Sequence, residues 1–398
     1  MNILQIANKA IYPPDGGTLA ILSLAKGYIE NGHQVYLLNM ITHKHYNNYA
    51  LIKDKYRQSL KIEGIDVNTK ISPLKLLLNL FFSDKPYIAQ RFISPKFKLR
   101  LESLLKSQQF DFIQFEGLYA LQYIRIIKNN FNGKIIYRPH NVEYLIWERN
   151  HKKSKTIIKK WYFKLLCKRL KKLEQNLLNT YDYLVPISPN DVQLFNELSN
   201  TKPVKIAPFG IDIEKINNHK DENKKNSQSI NYIGALDWIP NQEGLLWFIQ
   251  NCFDKIIKTF PNIKLNIAGR NAPTWFVQKL NHPNINYIGE VKNAYEFLQN
   301  SGPVIVPLFS GSGMRVKIIE SMALRKSIVA TDIAAEGINC ENNTNIIIAN
   351  NVKEYTNAVI ELLSNPDLQN KIGENAYKFV KDQYDFIKIA SDILNFIK

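Results

Sequence analysis

The sequence predicts an α/β protein made of two doubly wound domains, and three observations carry that prediction. A chain of 398 residues is too long for one ordinary core and suits two domains. Short apolar runs alternate with helical segments along its length, the pattern of parallel strands joined by crossover helices. A polar, lysine-rich stretch, "NNHKDENKKNSQS" (217–229), interrupts the alternation midway with the composition of a linker.

The elements follow in chain order. "NILQIAN" (2–8) reads as a strand and "YPPDGG" as a loop. A helix is expected from about Thr18, an N-cap residue type, to Gly32, a C-cap residue type, and "QVYLLN" then returns as a second strand. This βαβ opening defaults to a right-handed crossover onto a parallel sheet. "DFIQFE" (111–116), "KIIYRP" (134–139) and "YLVPIS" (183–188) continue the first domain. After the linker the alternation restarts with "INYIGA", a helix near 242–259, "IKLNIAG", "INYIGE", "GPVIVPL", another helix, "SIVAT" and "NIIIAN". Sheets wound in this way take ligands at the carboxyl ends of their strands.

Composition narrows the function. Hydrophobic residues make up 45% and charged ones 22%, with no repeat of fixed period. Cys167, Cys252 and Cys340 lie far apart, which excludes a spaced metal site or disulfide framework and fits a reducing compartment. The N-terminal stretch lacks a basic region and a long apolar run, so no secretion signal is expected. "LKLLLNLFF" (74–82) falls short of the roughly 20 residues of a spanning helix. These features predict a cytoplasmic protein, peripheral on the inner face of a membrane if its basic helix binds lipid.

The net charge is +17, and it is concentrated in the first half, where Met1–Ser229 holds 36 Lys and Arg against 19 Asp and Glu. Ten cations and no acid fall between Lys152 and Lys172. The segment 152–178 also spaces Leu166, Leu170, Leu173 and Leu177 as one helical stripe, with Trp161 and Tyr162 beside lysines. Two readings stay open: an amphipathic helix on an anionic membrane surface, or a core-facing helix with a solvated basic face. Nucleic acid is disfavoured as a partner, because no recognised binding motif accompanies the charge.

Neither a G-x-G-x-x-G after a first strand nor a P-loop is present, so dehydrogenase and NTPase readings lack support. The segment "GSGMRVKIIESMA" (311–323) offers another anion site. The strand "VIVPL" ends, a glycine loop lets backbone amides approach a ligand, and a helix begins with Arg315 and Lys317. Cations at that end of a helix oppose its dipole, which makes sense where an anion sits between them. Glu320 is either an intrahelical partner of Lys317 or an acceptor for sugar hydroxyls.

These residues resemble a family. "PFGIDI" (208–213), "YIGALDWIPNQEGLLWF" (232–248), "IKLNIAGR", "INYIGEV" and "GSGMRVKIIESMALRKSIVATDIAAEGI" resemble the C-terminal domain of retaining group 1, or family 4, glycosyltransferases that build bacterial surface polysaccharides. "PPDGG" and "RPHNVE" resemble their N-terminal domain. The resemblance implies the GT-B fold: two facing Rossmann-like domains with an interdomain cleft, over 1–205 and 206–381, with 382–398 crossing back to the first. It implies transfer of a hexose from a nucleotide diphosphate sugar to a glycan or lipid-linked hydroxyl acceptor, with no cofactor, and no metal is expected because a helix terminus with Arg315 and Lys317 can neutralise the leaving diphosphate.

Residue by residue, the resemblance places Gly311, Ser312, Gly313 and Met314 at the donor's sugar and diphosphate, Glu320 at the ribose, and Val291 at the base. Gly234, Asn241 and Arg270 join the donor site, Gly16 and Gly17 approach from the other domain, and His140 reaches the transferred sugar. Glu116 and Glu143 are further candidates by position. Two departures stand out. Ser312 replaces the first acid of the family's paired-glutamate motif, and the diphosphate-binding Arg and Lys appear as Ala235 and Asn241. Arg315 and Lys317 are expected to take over that charge. A nucleotide-sugar epimerase, a non-catalytic nucleotide-sugar binder and an RNA-binding scaffold are the alternatives. The donor's base and sugar, the acceptor, the linkage, the oligomeric state and the effect of Ser312 on activity are left open.

Overall fold

A computed structural model describes residues 1–12, 16–48, 54–217, 229–299, 302–311 and 314–398. Most of the expected linker, together with Ser312 and Gly313, lies outside the described residues. The chain forms two compact units, Met1–Gly210 with Phe386–Lys398, and Ile211–Asp385.

The first unit holds β1 (Asn2–Ala7), β2 (Gln34–Ile41), β3 (Leu60–Asp66), β4 (Phe112–Glu116), β5 (Lys134–Arg138) and β6 (Tyr183–Leu184). They form one parallel sheet in the order β3-β2-β1-β4-β5-β6. Alternate residues feed two apolar layers: Leu4, Ile6 and Phe115 pack on one face, Ile3, Ala7 and Phe112 on the other. Burial on both faces explains why these strands read as continuous apolar runs.

The first helix, Gly16–Glu30, starts two residues before the expected Thr18, which is buried in its first turn rather than capping it. It ends as the sequence suggests. Gly32 has φ +82°, and His33 N–H donates to the Tyr28 carbonyl at 3.1 Å, closing the helix through a left-handed residue. The last helix, Phe386–Phe396, belongs to this unit and packs Ala390 against Gly27 of the first helix.

The basic helix Ile157–Leu177 settles its two readings in favour of the core. Leu166 and Leu170 are buried, and Leu173 and Leu177 pack against the same cluster, so the stripe faces inward and does not itself form a membrane face.

The second unit repeats the winding with β7 (Ser229–Ile233), β8 (Lys264–Ala268), β9 (Ile285–Gly289), β10 (Val304–Val306), β11 (Ile328–Ala330) and β12 (Ile347–Ile348). Its parallel order is β12-β11-β10-β7-β8-β9. The expected helix near 242–259 is Ile239–Phe248, a wide turn Ile249–Phe253, and Asp254–Thr259. In each sheet the strand order reverses beside the first strand, between β1 and β4 and between β7 and β10. Such reversals leave a gap at the carboxyl ends of those strands, where ligands of this architecture bind. Among the described residues no helix is long and apolar enough to cross a membrane.

Candidate functional site

In the second unit, the loops after β7 and β10 meet at this reversal. Gly234 follows β7, and the helix Val316–Ala323 follows the loop after β10. Arg315 is the N-cap residue of that helix rather than part of its first turn, and Lys317 is its second residue. The Lys317 ammonium donates to Asn241 Oδ1 at 3.1 Å and lies 4.6 Å from the centre of the Tyr232 ring. Asn241 is held in place by its own donation to the Ala235 carbonyl at 2.8 Å. A Cβ on Gly234 would sit 3.1 Å from both the Lys317 ammonium and the Asn241 amide, so glycine keeps that approach open. The Tyr232 hydroxyl, at the same spot, is buried without a hydrogen-bond partner among the described residues.

No carboxylate among the described residues pairs with Lys317. Burial, and then the neighbouring Arg315 guanidinium, push its ammonium down to about 7. A buried cation held next to another cation is an electrostatic debt that an incoming anion relieves. The Arg315 guanidinium lies 5.5 Å over the Trp238 ring. Gly311, at φ +120°, brings the backbone against both, because a Cβ there would fall 2.8 Å from Trp238 and 2.9 Å from Arg315. Met314 is half-buried in the same loop.

Glu320 does not pair with Lys317, so the intrahelical reading is corrected. Its Oε1 accepts from the Tyr295 hydroxyl at 3.2 Å. Burial raises its carboxyl, with Tyr295 and Lys215 pulling the other way. Lys215 also lies 5.6 Å over the Tyr295 ring. Val291 is half-buried just after β9. Arg270 follows β8 with an exposed side chain, and its carbonyl accepts from Leu236 N–H at 2.9 Å.

The first unit builds a second cluster at its own reversal. His140 lies just beyond β5, and its Nε2 is 2.6 Å from Glu116 Oε2 at the end of β4. Arg138 donates to the same oxygen at 3.1 Å, while Gln5 and Gln114 donate to Oε1. Burial alone would raise Glu116, but Arg138 and His140 hold it below its usual range. Burial lowers His140, against the pull of Glu116. A neutral imidazole beside an ionised carboxylate donates from Nε2, which leaves Nδ1 as an acceptor; this tautomer is inferred from the partner. Nδ1 faces Gly17, where a Cβ would be 3.3 Å away, and Lys9 lies against the same glycine. Gly16 opens the adjacent helix.

Glu143 accepts from the Tyr119 hydroxyl at 2.9 Å, and burial raises its carboxyl. Glu174 caps the helix Glu143–Lys153, accepting from the N–H groups of Glu143 at 2.9 Å and Tyr144 at 3.1 Å. Lys9 and Glu116 are the residues of this cluster that the sequence marks least. The only signal for either was a charge at the end of an apolar strand.

Residues 227–365 match the family described as Glycosyl transferases group 1. The match covers most of the second unit, and the fold is that of the GT-B glycosyltransferases. An uncharacterised 44.6 kDa protein of the cps region of Klebsiella pneumoniae is 24% identical over 404 residues, covering 98% of each chain. HepE of Anabaena, solved in complex with UDP, superposes with a TM-score of 0.69 at 14% identity, covering 100% of this chain and 99% of that one. Sucrose-phosphate synthase of Thermosynechococcus elongatus gives a TM-score of 0.67 at 12% identity, covering 100% and 98%.

Proposed function

We propose that this glycosyltransferase moves a hexose from a nucleoside diphosphate donor to a hydroxyl of a glycan or lipid-linked acceptor, retaining anomeric configuration and needing no metal. The observation that carries the reading is the buried Lys317 ammonium, without a carboxylate partner among the described residues, at the entrance of the helix Val316–Ala323. As the bond from the anomeric carbon to the diphosphate oxygen breaks, negative charge grows on the leaving group. Lys317, Arg315 and the helix amides act where that charge develops, so they favour the transition state over the bound donor.

Asn241 stands where the family carries its diphosphate lysine, and the Lys317 ammonium lies 3.1 Å from its side chain. The cation therefore returns to that spot from a different element, which supports the expected transfer of charge. Glu320 accepts from the donor's ribose. His140 offers Nδ1 to a hydroxyl of the transferred sugar, with Glu116 fixing its tautomer. The acceptor's proton passes to the departing phosphate oxygen, so no side-chain base is required. HepE has been solved with UDP and with UDP-glucose, which favours a uridine diphosphate donor. The cps-region relative favours surface polysaccharide as the product class.

Incubation with a panel of nucleotide sugars tests this. Slow release of nucleoside diphosphate from one donor is expected, lost in the variant with Arg315→Gln and Lys317→Gln. Conversion of a donor to its epimer with no diphosphate released, or an inverted product by NMR, would contradict it.

A further inference from the structure

The helix Pro73–Phe82 is amphipathic the wrong way round. Its one buried side chain is polar: Asn79 donates to the Lys85 carbonyl at 3.0 Å and to Gln90 at 2.7 Å. Leu74, Leu77, Leu78 and Phe81, spaced i, i+3, i+4 and i+7, form an apolar stripe that faces solvent. Phe81 and Phe82 are 70% and 83% exposed, and Ile71 extends the patch. Scattered exposed apolar residues are ordinary, but a contiguous helical stripe marks a surface that something covers.

What surrounds the stripe is cationic. A groove of about 540 Å³ beside it is lined by Lys70, Lys75 and Arg91 together with Ile71, Leu78 and Ile93. Arg169 of the basic helix clamps the end of the stripe's helix, donating to Asn79 Oδ1 at 3.0 Å and to the Leu80 carbonyl at 3.1 Å. Asp84, the nearest acid in sequence, is paired with Lys172 at 3.0 Å. At the other end of the basic helix, Ile157, Ile158 and Trp161 are exposed among Lys155, Lys159 and Lys160.

We propose that the outward stripe of Pro73–Phe82 docks the first unit on an anionic phospholipid bilayer, with the surrounding lysines and arginines meeting the headgroups. The apolar stripe suits the acyl boundary and the cations suit a negative leaflet, the two contributions that hold an interfacial helix. A second copy of the chain fits less well, since a two-fold contact would oppose like-charged rims. The inner stripe of the basic helix takes no part, being spent on the core.

Sedimentation with vesicles of phosphatidylcholine alone, or with a third of phosphatidylglycerol, tests the proposal without any sugar donor, so its failure leaves the donor site untouched. Binding is expected to the mixed vesicles and to weaken with salt. A variant combining Leu77→Ser, Phe81→Ser and Phe82→Ser should lose about tenfold in partitioning, and one combining Lys70→Gln and Lys75→Gln, whose cations line the groove beside the stripe, a comparable factor. Equal binding to neutral vesicles, unchanged binding of the serine variant, or a dimer that this variant dissolves would overturn it. If the serine variant fails to fold, Phe82→Trp decides. Its added emission is quenched by brominated lipid if residue 82 enters the bilayer, and unquenched emission rejects the proposal.

Discussion

The two units bury charge at the same topological position and balance it in opposite ways. In the first, Glu116 receives Arg138, His140, Gln5 and Gln114, and every charge has its complement within the cluster. In the second, Lys317 receives, among the described residues, an amide oxygen and an aromatic face, next to a second cation. A closed cluster can position a side chain, whereas an open one waits for a ligand. The difference separates a cluster that holds its side chains in place from one left open to an anion.

Removing a charge from each cluster should therefore act in opposite ways, and the largest effect is expected in the first unit. Glu116→Ala leaves Arg138 buried without its carboxylate, which should cost about 3–5 kcal/mol in denaturant unfolding. A loss below about 1 kcal/mol would mean that the first cluster is not closed.

Lys317→Gln should leave folding intact or improve it while weakening donor binding about ten- to a hundredfold, or roughly 1.5–3 kcal/mol by calorimetry. Unchanged donor affinity would dissolve the contrast.

The same lysine gives a pH signature in stability. Its folded pKa of about 7 lies below the unfolded value of a lysine, so between the two the unfolded chain binds more protons. Relative to Lys317→Gln, the wild type should gain stability as pH rises from about 7 towards 10.5 and level off outside that window. A flat difference between the two proteins would place the ammonium in solvent. Smallest of all, Tyr295→Phe removes one neutral donor from Glu320 and should cost about 0.5–1.5 kcal/mol. A larger loss would show that Glu320 depends on Tyr295 as heavily as Glu116 does on its partners.

Much of this was legible in the sequence because it is local. The βαβ alternation, the glycine that ends the first helix and the cations at 315 and 317 all declare themselves within one or two turns of chain. The partnership of His140 with Glu116 does not, since the two lie 24 residues apart on the ends of neighbouring strands. Lys9 and Gly17 likewise meet only when the sheet forms. Periodicity also gives a stripe without its direction. Leu166 and Leu170 point into the core and Leu77 and Phe81 point out of it, although both sets share helical spacing. Tertiary packing alone decides which way each helix turns.

Proton uptake on donor binding tests the central claim most directly. UDP-glucose has no group of its own titrating near pH 8, so calorimetry there in buffers of different ionisation enthalpy reads the protein's protons. Uptake of most of one proton is expected as the anion restores the Lys317 charge, and it should disappear in Lys317→Gln. Binding with no uptake, or with uptake that survives the substitution, would contradict it.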